Sequence, residues 1–434
     1  VAWIDEGGRE VVVLDGPAVE TGEGWLAEAV WAGDFAAGDF DVTDLVAGSG
    51  IRLRGDRVVF VNSCSGADRL WFCRKDGRPW VANSLPALLA TADVSLCDDY
   101  AGYTPDVETI EREGLKGYRR TIPAEGVELR VAYFYNLVFE RGELSEADKP
   151  NVAPEMRTFE DYWRFLVDTA GKMGRNMRSG DRRLPVEPLA TISSGYDSCA
   201  AAVIARQAGC ERAATIRQST SIWRGSDSGA AVAESIGLDC REYDRRPARY
   251  PHEVAIWAGA GLGGGLNFTT FEYPQPLSML FTGLYGDTVW GLKPRDLSNP
   301  LGDRDALLGE FRVIQGMFHC TVCWWGIGRA AEIQAIGLRP EMAPWTLNTG
   351  YDRPIPRRIV EQAGAPRETF GMIKRNTSTN TSFPWPRSPD ARASLRRYLA
   401  ARGAWAPPGP MLWAIHRLAG LEKGLSAKAL AGWL

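Results

Sequence analysis

The sequence predicts an α/β protein: a parallel sheet covered by helices, with a helical C-terminal part, preceded by a β-rich α+β domain. Three observations carry that prediction. Between residues 186 and 282, apolar strand-like runs alternate with helical segments, the rhythm of a parallel sheet covered on both faces. Before residue 150 the apolar runs are short and punctuated by Gly and Asp, as in antiparallel strands. The chain has 434 residues, more than one hydrophobic core ordinarily organises. The texture changes near Pro154, which divides the chain into 1–153 and 154–434.

In the first part, Val11–Leu14, Ile51–Leu53, Val58–Val61, Leu70–Cys73 and Val127–Val131 read as strands. Phe159 to Met177 places Phe159, Tyr162, Phe165, Leu166, Ala170 and Met173 at helical spacing. There follow strand 186–192, helix 197–208, strand 213–217, helix 227–237, strand 239–243 and strand 278–282. From Ala306 onward helix is expected, broken by Pro-rich loops at 340–356 and 384–389. The amphipathic pattern of Met411–Leu434 suits packing against the body of the protein, and Gly259–Gly265 suits a flexible loop beside a pocket.

Apolar residues make up 45% and charged residues 24%, with a net charge of −4. That balance argues against broad nucleic-acid binding. No run approaches the roughly 20 apolar residues of a membrane span, and no signal-peptide pattern opens the chain. A cytoplasmic protein that engages no membrane is therefore expected. Eight cysteines form no small-domain framework, and Cys320-Thr-Val-Cys323 is the sole C-x-x-C. Without a second such pair, and with three histidines in all, buried structural thiols are expected rather than zinc ligands.

The most informative segment is Leu189-Ala-Thr-Ile-Ser-Ser-Gly-Tyr-Asp-Ser198. It reads as a buried strand, a tight turn and a helix start. A helix N-terminus offers unpaired N–H groups and partial positive charge to an anion. Ser193, Ser194 and Ser198 add hydroxyls, Gly195 permits close approach, and Asp197 offers a hard carboxylate for Mg²⁺. The same residues are compatible with a plain strand–helix turn.

This turn resembles the pyrophosphate-binding loop (PP-loop) of ATP pyrophosphatases, with Ser194 in place of the first family glycine. Further elements follow in the order of the asparagine synthetase and β-lactam synthetase superfamily. Asp227-Ser-Gly-Ala-Ala-Val-Ala-Glu-Ser-Ile-Gly-Leu resembles its Val-Ala-x-x-Leu-Gly helix. Leu280-Phe-Thr-Gly-Leu-Tyr-Gly-Asp-Thr-Val-Trp-Gly291 resembles its Ser-Gly-x-Gly-x-Asp-Glu segment. Asp352-Arg-Pro with Arg357, Arg358, Pro366 and Lys374 resembles the helix–loop bearing a catalytic lysine. In the first part, Asn62-Ser-Cys-Ser-Gly-Ala-Asp-Arg-Leu-Trp-Phe and Trp80-Val-Ala-Asn-Ser-Leu resemble the family's glutaminase-like domain.

The resemblance implies a PP-loop (HUP-like) synthetase domain over 154–434, behind a degenerate Ntn-hydrolase-like domain over 1–153 that lacks an N-terminal Cys nucleophile. It implies an AMP-forming ligase that adenylates a carboxylate with ATP and Mg²⁺ for attack by an amine or ammonia, between molecules or within one. The setting would be specialised metabolism, and a homodimer is compatible. Ser193, Ser194, Gly195, Tyr196, Asp197, Ser198, Ile192, Ile216 and Gly283 would hold the nucleotide, and Asp197 and Asp287 the metal. Lys374 would act on the charged transition states, supplemented by Arg358 and Arg375. Tyr285, in place of a family glycine, would touch the intermediate or fill substrate space. Trp223, Phe268, Phe271, Tyr285 and Trp290 would supply an aromatic wall. An Asp after Gly, as at Asp287, also suits a helix cap, and Thr288 replaces a family Glu. Two other readings stay open: a nucleotide-binding scaffold without turnover, and a PP-loop enzyme acting on tRNA or a nucleobase.

Overall fold

A computed structural model describes the chain apart from residues 6–9, 220–224, 248, 256–264, 293–296, 303–306, 376–385, 406–407, 409–410 and 412–434. The first part is a sandwich of two six-stranded antiparallel sheets. Its strands are β1 Ala2–Ile4, β2 Val11–Val13, β3 Glu20–Gly22, β4 Trp25–Trp31, β5 Val46–Arg54, β6 Arg57–Val61, β7 Arg69–Lys75 and β8 Arg78–Ala82. They continue with β9 Thr121–Ala124, β10 Val127–Tyr133, β11 Asn136–Glu140 and β12 Glu143–Ala147. One sheet runs β2-β1-β8-β7-β10-β9 and the other β12-β11-β6-β5-β4-β3. Alternation turns Ile4, Phe60, Leu70, Phe72, Val81 and Leu137 into the space between them. Helices α1 Leu85–Ala92 and α2 Tyr103–Gly117 complete this part, which the short sequence runs represented only in outline.

Residues 148–158 lead into α3 Phe159–Met177, whose first turn is fixed by a capping box. Thr158 Oγ1 accepts from the Asp161 amide at 3.2 Å, and the Asp161 carboxylate accepts from the Thr158 amide at 2.9 Å. A five-stranded parallel sheet follows, ordered β15-β14-β13-β16-β17. Its strands are β13 Val186–Thr191, β14 Arg212–Ile216, β15 Asp239–Tyr243, β16 Leu277–Thr282 and β17 Met317–Thr321. The crossover helices include α4 Tyr196–Gln207 and α5 Ala230–Ser235. Then come α6 Gly286–Val289, α7 Leu307–Gln315, α8 Ala330–Gly337, α9 Pro354–Gln362 and α10 Pro389–Ala401. The molecule is thus mixed α/β. Among the described residues no helix is long and apolar enough to cross a membrane.

Two expected elements differ. The helix expected over 227–237 is confined to α5, because its first residues are bound elsewhere. The Gly229 amide donates to Thr215 Oγ1 at 2.8 Å, and Ser228 bridges Ser193. The mostly helical reading after Ala306 omits β17, a short run buried at every position that periodicity cannot distinguish from buried helix. That strand and the turn after it bury Cys320 and Cys323 as free thiols, whose pKa values burial pushes well up. Residues 412–434 of the expected amphipathic segment, Trp223 and Gly259–Gly264 lie outside the described residues.

The two parts share one core. A continuous apolar cluster runs from Trp71 and Leu88 through Phe159 and Tyr162 to Ala200, Phe281 and Trp324. Polar ties cross the same seam. Arg182 donates to the Ala29 carbonyl at 2.8 Å, Asn176 to the Gly33 carbonyl at 3.0 Å, and the buried Glu310 accepts from Ser84 at 2.8 Å.

Candidate functional site

At the carboxyl edge of the parallel sheet, the chain leaves β13, turns through Ser193–Gly195 and enters α4. The turn is held by its own serines. Ser198 Oγ accepts from the Ser193 amide at 3.0 Å and lies 2.7 Å from Ser193 Oγ, which accepts from the Gly195 amide at 3.1 Å. The Ser194 amide donates to the Asp227 carbonyl at 3.0 Å. The amides of Ser193, Ser194 and Gly195 are thereby committed inside the turn. The amides of Tyr196, Asp197 and Ser198, in the first turn of α4, are the donors a helix leaves for an outside acceptor.

Two glycines bring the next segment onto this turn. A Cβ on Gly283 would lie 2.3 Å from the Asp197 carbonyl carbon, and one on Gly286 would lie 2.3 Å from Asp197 Cγ. No side chain fits at either position. The close approach sets Asp287, exposed in the first turn of α6, beside Asp197. Tyr285 between them is left-handed, with φ of 69°.

Asp197 pairs directly with Arg353, the residue preceding α9. Its Oδ1 is buried with no hydrogen-bond partner among the described residues. Burial pushes the Asp197 carboxyl above its ordinary value, and Arg353 and Lys374 oppose that shift. Beyond the turn, Ser194 Oγ donates to Asp227 and accepts from Arg375 Nη1 at 3.0 Å. The strap bearing Lys374 and Arg375 is tied down where the Gly371 amide donates to the Ser194 carbonyl at 2.8 Å. Gly371 has φ of +66°, and a Cβ there would strike the Tyr196 ring at 2.3 Å. Lys374 is exposed, with Nζ 5.9 Å from the Tyr351 ring, while Arg353 lies 5.3 Å from the same ring.

Ser193–Ser198, Gly283, Asp287 and Lys374, drawn from distant stretches of chain, thus converge. Several expected residues do not join them. Arg358 reaches the opposite side of α9, where it pairs with Glu160 and Glu341 and stacks 3.9 Å from the Phe159 ring. Tyr285 turns its ring 5.2 Å from Trp324, towards the first part of the chain, where Trp324 also packs on Phe134. Ile192 and Ile216 cannot wall one slot together. The β13–β14 register and strand alternation put Ile192 with Ala190 and Ala213 on one face of the sheet, and Ile216 with Leu189 and Ala214 on the other.

Among the described residues the expected aromatic wall does not form either. Phe268 and Phe271 stack with Tyr243 and Tyr273 on the Ile216 face, whereas Trp290 is in the core and donates to Tyr162 at 2.9 Å. Cys64 lies just beyond β6, buried, with its thiol pushed up to about 12, which suits packing rather than nucleophilic attack.

Arg353, Asp227, Tyr351 and Gly371 were not singled out as site residues. Asp227 and Arg353 stood within segments already quoted, but nothing local in either segment pointed to its partner in the site. No protein-family model matches the chain, and no curated protein matches it.

Proposed function

We propose that the chain is an ATP-dependent, AMP-forming carboxylate–amine ligase of the asparagine synthetase and β-lactam synthetase kind, with a PP-loop at Ser193–Ser198. The supporting observation is the convergence of an α4 N-terminal turn, Asp197, Asp287 and Lys374 beyond the carboxyl ends of a parallel sheet, where such folds bind ligands. In the reaction, a carboxylate oxygen attacks the α-phosphorus and the bond to pyrophosphate breaks. The amine nitrogen then attacks the acyl carbon and AMP leaves, the amine losing a proton.

A metal fits these residues. Asp197 Oδ1 is buried and unsatisfied among the described groups, Gly286 packs directly against the same carboxylate, and Asp287 is the next residue along the chain. Mg²⁺ ordinarily takes one or two carboxylates together with phosphate oxygens, and when bound it would neutralise charge on the leaving pyrophosphate. The α4 amides would hold phosphate oxygens, and Lys374 would stabilise charge developing between the phosphates and the acyl group. Arg375 would orient Ser194 and, through it, Asp227.

The direct Arg353–Asp197 pair favours a second reading, a nucleotide-binding scaffold without turnover, because it occupies a candidate metal ligand. Pyrophosphate release from Mg·ATP with pooled acids and amines separates the two. The ligase reading expects acid-dependent release that falls at least ~100-fold in Asp197→Ala and in Lys374→Ala. ATP binding without release under every pool favours the scaffold.

A further inference from the structure

We propose that Arg353 is a built-in cation that occupies the Asp197–Asp287 carboxylate site until a metal–nucleotide complex displaces it, after which its guanidinium binds the polyphosphate. The proposal rests on the nucleotide reading of the site.

Arg353 is 6% exposed and touches Asp197 directly. Its guanidinium is backed by the Tyr351 ring at 5.3 Å, which limits where it can turn. Asp287 follows Gly286, the residue that lies against the Asp197 carboxylate, so a second carboxylate is carried on the segment packed against the first. Among the described residues no group of three His, Cys, Asp or Glu could hold a metal. Asp197 and Asp287 are the candidate donors, and an arginine is already bound to one of them.

A divalent ion arriving alone must either share Asp197 with that arginine through Oδ1 or evict it and leave it buried without an anion, and both are costly. An ion arriving with ATP brings phosphate oxygens that accept the planar guanidinium in the carboxylate's place. The exchange is short, because Asp197 belongs to the first turn of α4, the same turn whose amides face the anion. Charge stays balanced throughout: the metal replaces arginine on Asp197, and phosphate replaces Asp197 on arginine.

The test titrates Mn²⁺ into the full chain, with free Mn²⁺ read by electron paramagnetic resonance, with and without a non-hydrolysable ATP analogue. Wild type should bind Mn²⁺ alone at least about tenfold more weakly than with the analogue. Arg353→Gln should bind Mn²⁺ alone about tenfold more tightly than wild type, and the Mn²⁺–analogue complex more weakly. These opposite shifts distinguish an exchanging cation from a merely structural arginine, which would move both affinities the same way. Arg353→Lys, keeping the charge, should stay near wild type for Mn²⁺ alone, and adding Asp197→Asn to Arg353→Gln should erase the gain. Unchanged Mn²⁺ affinity in Arg353→Gln overturns the proposal. Should that variant not fold, wild type alone decides: Mn²⁺ bound as tightly without the analogue as with it overturns the proposal. Failure of wild type to bind the analogue at any Mn²⁺ concentration is a separate result that removes the nucleotide reading itself.

Discussion

At Gly286 a single methyl group meets the Asp197 carboxylate. An added Cβ would sit 2.5 Å from Oδ1, so either the carboxylate or the backbone of α6 must move. Gly286→Ala is expected to lower pyrophosphate release by about 100-fold through misplacement of Asp197 and Asp287, and because Thr288 and Val289 of α6 are buried, circular dichroism should check that the variant is folded. Gly16→Ala, where a Cβ meets nothing within 4 Å, should leave release unchanged in the same assay. Asp197, Asp287 and Lys374 could be grouped from the sequence because each falls in a segment that resembles a family motif. Arg353 was not, because its partner lies 156 positions away and no local spacing encodes that pairing. Arg358 misled for the converse reason: a basic residue on the expected helix says nothing about which side of the helix it occupies.

The elements around the site depend on one another through buried hydrogen bonds. His319 on β17 lies 2.8 Å by Nε2 from Thr282 Oγ1, at the end of β16 and immediately before Gly283. Burial lowers the His319 pKa, so the folded chain keeps it neutral. Between the folded value and the ordinary one near 6.5, the unfolded chain binds more protons. This contribution to stability is complete above that ordinary value and is lost as pH falls through the window beneath it. Denaturant titrations from pH 7 to pH 5 should show a shallower loss in His319→Gln, whose amide still meets Thr282. The alternating strands and helices of the parallel sheet were readable from periodicity, because each buries a face of definite period. β17 and the shortened α5 were not, because complete burial erases the period of one and bonds to the β13 turn consume the start of the other.

Across the whole molecule, Lys149 stands between the sandwich and the segment leading to α3. It is buried, donating to the Asn62 carbonyl at 2.6 Å and to Asn136 Oδ1 at 2.8 Å. Burial brings its ammonium pKa down to about 8. The unfolded chain therefore binds more protons from there up to the ordinary lysine value near ~10.4, and stability should rise with pH across that window, by roughly 3 kcal/mol at most. Lys149→Met should flatten the rise in urea melts between pH 8 and pH 10. The change from antiparallel to parallel sheet was visible as a change in texture near Pro154, but the shared core was not, since an apolar residue does not announce which layer it will meet.

That seam has an asymmetry with evolutionary weight. Arg182 and Asn176 reach across it to the backbone carbonyls of Ala29 and Gly33. A carbonyl is supplied by any residue, whereas a guanidinium or an amide is not. Positions 29 and 33 are therefore limited by space, with Ala29 buried and a Cβ on Gly33 meeting Trp31 at 2.9 Å, whereas Arg182 and Asn176 are limited by the bonds they donate. A saturation library scored for folded protein should accept only small residues at 29 and 33, for want of space, and reject most replacements of Arg182 and Asn176, for want of a donor.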